Sequence, residues 1–140
     1  MEKKKVNLRV VTPRGVKIQE TADMIVMRCV DGDMGILPGH EPLSAALGDG
    51  ILRVIDGDKA EQKIAVFGGY AMVENDTVNI VTSIAQRPGE IDLPRAEADR
   101  QQMVTLMQER ADGLKMQSYQ VQLRRALVRI EVNYHPGGDE

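Results

Sequence analysis

The chain has 140 residues, 42% of them hydrophobic and 28% charged, and 18 Lys and Arg against 21 Asp and Glu leave a formal charge of −3. That length suits one domain, or a small domain with an appendage, and the apolar share is enough for a modest core, so a disordered chain is excluded. The slight acidity, with one Phe, three Tyr and no Trp, offers neither a basic field nor a stacking platform, so no nucleic-acid partner is expected.

From Val6 to about residue 85 the pattern has a period of two, in short β-branched runs broken by turn residues. Val6, Leu8 and Val10 alternate with Asn7 and Arg9, and Pro13-Arg14-Gly15 turns the chain into Val16-Lys17-Ile18. Met24 to Val30 reads as a more buried strand. Its Cys29 is the single cysteine, so no internal disulfide is possible and a reducing compartment fits best. Cys29 reads as a small core residue, and Met24, Met27 and Met72 as packing for a sandwich interior. No run approaches the roughly 18 consecutive apolar residues that span a bilayer, so membrane contact is expected only through a partner.

Gly32-Asp33-Met34-Gly35-Ile36-Leu37-Pro38-Gly39-His40-Glu41-Pro42-Leu43 mixes breakers with short apolar pieces and reads as a shaped, rigid corner that presents something. His40 invites a catalytic or metal reading. The other histidine is His135 in the tail, and no serine, cysteine or carboxylate is spaced to complete a triad, so neither catalytic nor metal-ligating residues are expected. Asp31-Gly32-Asp33 is no calcium loop, because Ile36 and Pro42 stand where a glycine and a bidentate glutamate are required. The better reading of His40 is a polar contact at a loop tip, with Asp33 and Glu41 as neighbouring charges.

Downstream, Ile51 to Ile55 and Gln62 to Phe67 flank Asp56-Gly57-Asp58, a hairpin signal, and Tyr70 to Glu74 pairs with Thr77 to Ile84 across Asn75-Asp76. Gly68-Gly69 precedes a strand, so it marks a bulge or close approach and not a dinucleotide fingerprint. At Arg87-Pro88-Gly89-Glu90 the period changes to that of helix formers. Asp92 is a good N-cap, Pro94 suits a first turn, and Ala96, Met103, Met107, Ala111 and Leu114 recur on one face, a thin stripe that predicts marginal docking. Gly113 and Lys115 to Ser118 should break this helix, and a second one capped by Ser118 carries Tyr119, Leu123, Ala126, Leu127 and Ile130 at helical spacing. The expected fold is α+β: an N-terminal antiparallel β-sandwich of about ten short strands over residues 1–87, then a C-terminal antiparallel two-helix hairpin over residues 88–140, with a mobile tail from about residue 134.

The order of sandwich and hairpin over nearly the whole chain, the Gly32 to Leu43 corner, Val10-Val11-Thr12-Pro13, Phe67-Gly68-Gly69-Tyr70 and Ile91-Asp92-Leu93-Pro94-Arg95-Ala96 together resemble the epsilon subunit of bacterial F-type rotary ATP synthases. The last segment is similar to that family's I(L)DxxRA nucleotide-binding motif. The resemblance implies a non-catalytic central-stalk subunit of a proton- or sodium-translocating ATP synthase, peripheral to the cell membrane on its cytoplasmic side. It implies a sandwich that binds the gamma subunit and the c-ring, with Asp33, Met34, His40, Glu41 and Pro42 at the interface. The hairpin would regulate ATP hydrolysis by moving between a folded position and an extended one that reaches the alpha and beta subunits. No cofactor is required, but ATP is implied as a regulatory ligand of the folded hairpin. Ile91 and Asp92 would address the adenine, Ala96 completes the motif, and Arg95, Arg125 and Arg129 would lie near the phosphates or stack on the base. The resemblance also implies a further arginine on the first helix of members that bind ATP well, where this chain has Gln102, with Arg100 close by. On charge pattern alone, Arg124, Arg125 and Arg129 read as well as a solvated basic face, since like charges at i and i+4 cost a few tenths of a kcal/mol. The competing class is a free-standing nucleotide-sensing module whose sandwich binds no rotor.

Overall fold

The computed structural model describes residues 4–109 and 113–134. Ten strands come first: β1 (Val6–Thr12), β2 (Gly15–Ala22), β3 (Met24–Cys29), β4 (Gly32–Ile36), β5 (Leu43–Ala46), β6 (Asp49–Ile55), β7 (Gln62–Phe67), β8 (Tyr70–Glu74), β9 (Thr77–Val81) and β10 (Ala85–Gln86). A 3₁₀ turn over Pro88–Glu90 leads to helices α1 (Leu93–Gln108) and α2 (Gly113–Tyr134). No described helix is long and apolar enough to cross a membrane.

The strands form two five-stranded sheets, ordered β2-β1-β9-β8-β5 and β10-β7-β6-β3-β4. Every pairing is antiparallel except β1 with β9, where Leu8 lies opposite Val78 and Val10 opposite Ile80. Alternation puts Val6, Leu8, Val10, Ile25, Met27, Ile36, Leu52, Ile64, Val78 and Ile80 into one core between the sheets. Cys29 is buried there, as its surroundings in sequence imply. Asn75 and Asp76 both take positive φ, 52° and 57°, as a two-residue hairpin loop between β8 and β9 requires. Gly69 has φ 107°, and a Cβ there would stand 2.1 Å from the Val81 carbonyl oxygen, so the expected close approach is one of backbone on backbone.

Several expectations are revised. The Gly32 to Leu43 corner is half strand: Gly32–Ile36 pairs with β3, and only the loop from Leu37 to Pro42 is irregular. Strand β4 is a short edge of its sheet, with the exposed Asp33 charge on it. Thr77 to Ile84 is not one strand, because the chain leaves β9 after Val81 and crosses to the other sheet as β10. Met72 is 52% exposed on the outer face of β8, since the alternation with buried Ala71 and Val73 turns it to solvent. Ser118 caps nothing: α2 begins at Gly113, and the Ser118 hydroxyl accepts from Gln122 Nε2 one turn on. Leu127 is 48% exposed, while Val132, absent from the expected stripe, is fully buried. Ala111, His135 and the tail after Tyr134 lie outside the described residues.

The hairpin docks through α2, which lies on β6 and β7, while α1 packs on α2. Strand β7 serves two cores. Ile64 and Val66 point into the sandwich, and Ala65 and Phe67 point outward to a second cluster completed by Ile91 and Val132, with Ile51, Ile84 and Val128 at its edge.

Candidate functional site

The chain passes from sandwich to helices through a tightly held joint. Glu90 accepts from the Arg87 backbone N–H at 2.8 Å and forms an ion pair with Lys17 of β2. Asn133 Nδ2 of α2 donates to the Pro88 carbonyl at 3.2 Å. Asp92 then caps α1, its Oδ1 accepting from Arg95 N at 3.2 Å, and Pro94 falls in the first turn. That local chemistry fixes where Arg95 and Ala96 leave the helix.

Beside this joint lies a cleft of about 340 Å³ lined by Gln86, Glu90, Asp92, Arg95, Ala96, Asp99 and Arg129, within the size range of small-molecule sites. Four of the residues named from the motif and charge pattern therefore converge: Asp92, Arg95, Ala96 and Arg129. Ile91 is buried beneath them, 8% exposed, in the cluster with Phe67 and Val132. Arg125 lies one turn before Arg129 but does not line the cleft, since its Nε donates to Asp49 Oδ2 at 3.0 Å. Gln102 and Arg100 are exposed on α1 and take no part in the cleft lining.

Arg129 is the pivot of the site. Its Nε donates to the Gln86 side-chain carbonyl at 2.7 Å, and its guanidinium carbon stands 4.7 Å from the centre of the Phe67 ring. Burial, and after it the nearby Arg125 and Arg95 charges, pull its pKa below the ordinary arginine value, with Asp99 opposing. Its hydrogen-bond partner is a neutral amide, and the cleft that it lines carries the carboxylates of Glu90, Asp92 and Asp99 beside the guanidinium of Arg95. A second, larger hollow of about 640 Å³ opens on the other side of Arg129, between the β1–β2 turn and β10.

The proposed interface residues divide. His40, Glu41 and Pro42 share the loop between β4 and β5, where His40 Nδ1 lies 2.7 Å from the Glu41 carbonyl and Gly39 N donates to Asp76 Oδ1 at 2.6 Å. The loop is thereby tied to the β8–β9 turn. Asp33 and Met34 stand on β4 with opposite facing: Asp33 is exposed, 3.5 Å from Arg28, and Met34 packs partly against the sandwich core. Among the described residues no group of three or more His, Cys, Asp and Glu side chains is placed to hold a metal ion.

Gln86, Glu90 and Asp99 line the cleft without having been named as site residues from the sequence, and Asp49 and Phe67 meet Arg125 of α2 beside it. Gln86 and Glu90 flank the change of period, a local signal that could have found them. Asp49 carries no such mark, being 76 residues from its partner.

A ten-stranded sandwich carrying a docked helical hairpin, with a charged cleft at their joint, defines an α+β protein of two parts. The model of the ATP synthase delta/epsilon chain β-sandwich domain matches residues 5–88. The chain is 33% identical over 137 residues to the ATP synthase epsilon chain of Ligilactobacillus salivarius, an alignment covering 96% of this chain and 99% of the relative. It is 36% identical over 124 residues to that of Desulforamulus reducens, covering 89% and 93%. Among solved structures, a chain of the Euglena gracilis mitochondrial ATP synthase superposes with TM-score 0.78 at 25% identity, covering 94% of this chain and 82% of that one. A chain of the Tetrahymena thermophila central stalk and c-ring structure shares the fold, with TM-score 0.61 at 14% identity. The chain belongs to the ATP synthase epsilon chain family.

Proposed function

We propose that the chain is a non-catalytic central-stalk subunit of a rotary, ion-translocating ATP synthase, joining gamma to the c-ring, with a hairpin that regulates ATP hydrolysis and senses ATP. The observation that carries the stalk reading is end-to-end likeness: both sandwich and hairpin are covered when 99% of a curated epsilon chain aligns to 96% of this one. The sandwich, with the His40 loop braced by Asp76, is the part that would meet gamma and the ring. The hairpin, when extended, would reach alpha and beta. Membrane contact comes through the complex, which places the chain peripherally on the cytoplasmic side of the cell membrane.

The ATP reading is supported by the convergence of Asp92, Arg95, Ala96 and Arg129 on one cleft. Arg95 and Arg129 would take the phosphates with charge-assisted hydrogen bonds, and Gln86 and Asp92 offer polar groups for the base. Arg125 lies one turn before Arg129, and Ile91 is buried in the cluster with Phe67 and Val132, outside the cleft lining. No cofactor is needed for this role. The competing class, a free-standing nucleotide sensor, is separated by co-expression with gamma: a stalk subunit co-purifies as a stable complex, and failure to do so removes the stalk reading. ATPase activity of the assembly is then compared with intact chain and with chain cut after Arg87, across ATP concentrations. The regulatory reading expects different activities, most so at low ATP. Calorimetry with ATP on wild type and Arg129→Ala tests the site, and equal heats, or none from either, would remove it.

A further inference from the structure

Arg125 and Arg129 sit one helical turn apart, both over Phe67, yet their surroundings differ in kind. Arg125 Nε is 3.0 Å from Asp49 Oδ2, and its guanidinium carbon is 5.3 Å from the Phe67 ring centre. The Asp49 side chain is only 10% exposed, against 36% for Arg125. The strand register explains how one guanidinium meets both groups, because Asp49, the first residue of β6, lies directly opposite Phe67, the last of β7. Cross-strand neighbours stand about 5 Å apart on one face of a sheet, so carboxylate and ring are presented side by side. Arg129, in contrast, bonds a neutral amide and lines the cleft.

We infer that Asp49 and Arg125, closed over Phe67, form a latch that holds α2 on the sandwich, and that the two arginines divide the work, Arg125 fastening the helix and Arg129 facing the ligand cleft. The apolar seam alone is small, with Val128 and Val132 as the α2 contributions. It is also non-directional, whereas a carboxylate beside a ring accepts the guanidinium in one orientation and so sets the rotation of α2. Asp49 acts through Arg125 and is a positioning residue. The latch is independent of the nucleotide reading, because every group in it belongs to the chain itself.

The test is a double-mutant cycle of Asp49→Asn, Arg125→Gln and both together in the full chain, read by amide hydrogen exchange without nucleotide. A charge-assisted hydrogen bond of this kind predicts that each single change opens α2 about tenfold or more, with β1 and β9 amides unmoved. The double change should open it no further than the worse single one. Additive effects, or α2 protection unchanged in both singles, overturn the latch. If Asp49→Asn loosens β1 and β9 as well, the comparison passes to Arg125→Gln and Arg125→Lys. Partial recovery of α2 protection by lysine supports the latch, and equal loss overturns it. Titrating ATP into the wild-type chain reports the cleft separately, so absence of ATP binding there, with the coupling between Asp49 and Arg125 intact, would remove the nucleotide reading and leave the latch.

Discussion

Phe67→Leu isolates the ring that both arginines share. Phe67 is 4% exposed and points away from the sandwich core, into the cluster with Ala65, Ile91 and Val132. Leucine keeps an apolar side chain against those neighbours but removes the ring face that lies 5.3 Å from Arg125 and 4.7 Å from Arg129. At about 0.5–1 kcal/mol for each partly solvated cation–ring contact, the two together are worth about 1–2 kcal/mol. Such a loss moves the docking equilibrium of α2 about 5- to 30-fold toward the lifted state. The interior of the sandwich should not register it, because Ile64 and Val66 on the same strand face the other way. Amide hydrogen exchange resolves the two: α2 amides should exchange faster by that factor while β1, β6 and β9 keep their rates. Equal loss of protection in α2 and in the strands would refute the division of β7 between two cores. Unchanged protection of α2 would refute the assignment of docking energy to the ring.

Three further outcomes follow from local chemistry. Gly69→Ala puts a Cβ 2.1 Å from the Val81 carbonyl oxygen at a φ of 107°, so the sandwich should lose about 3 kcal/mol or more in denaturant unfolding, and a loss under 1 kcal/mol would contradict the close approach. Lys17, and after it the Arg87 backbone N–H, hold Glu90 below the usual carboxylate range. A lowered folded pKa favours the folded joint above the ordinary glutamate value, and that advantage is lost as pH falls through the folded one. Lys17→Met should therefore move the Glu90 titration upward by carboxyl NMR, and no upward movement would count against the pair. Burial, and then the Asp31 and Asp33 charges, push the Cys29 thiol up, with Arg28 opposing, so a thiol reagent at neutral pH should label it slowly when native and rapidly when unfolded. Equal rates would place Cys29 at the surface.

The sandwich was legible because its signals are local. Val6, Leu8 and Val10 alternate, Asn75-Asp76 supplies the left-handed pair that its hairpin needs, and Asp92 caps α1 within three residues of itself. What local pattern hid has a physical reason in each case. The edge strand β4 hid among glycines, because an edge takes its order from a neighbour, here β3, more than from its own side chains. The start of α2 at Gly113 runs against propensity, and helix formation there continues through Ser118, whose hydroxyl is satisfied by Gln122. Asp92, Arg95 and Arg129 were legible as a group only by resemblance, while Asp49 depends on a pairing across 76 residues that no window of sequence contains. Period alone likewise could not choose Val132 over Leu127, since both fall on apolar-rich arcs of α2 and the outward face of β7 decides between them.

That outward face has a consequence for the protein in solution. Ile51, Ala65, Phe67 and Ile84 share a cluster with Val128 and Val132 of α2, which give them part of their cover. Lifting the hairpin turns the sheet into an adhesive surface, wetting four apolar side chains at once. The uncovered state thus presents an apolar patch of the kind that favours association, which another surface taking the place of the helix would cover.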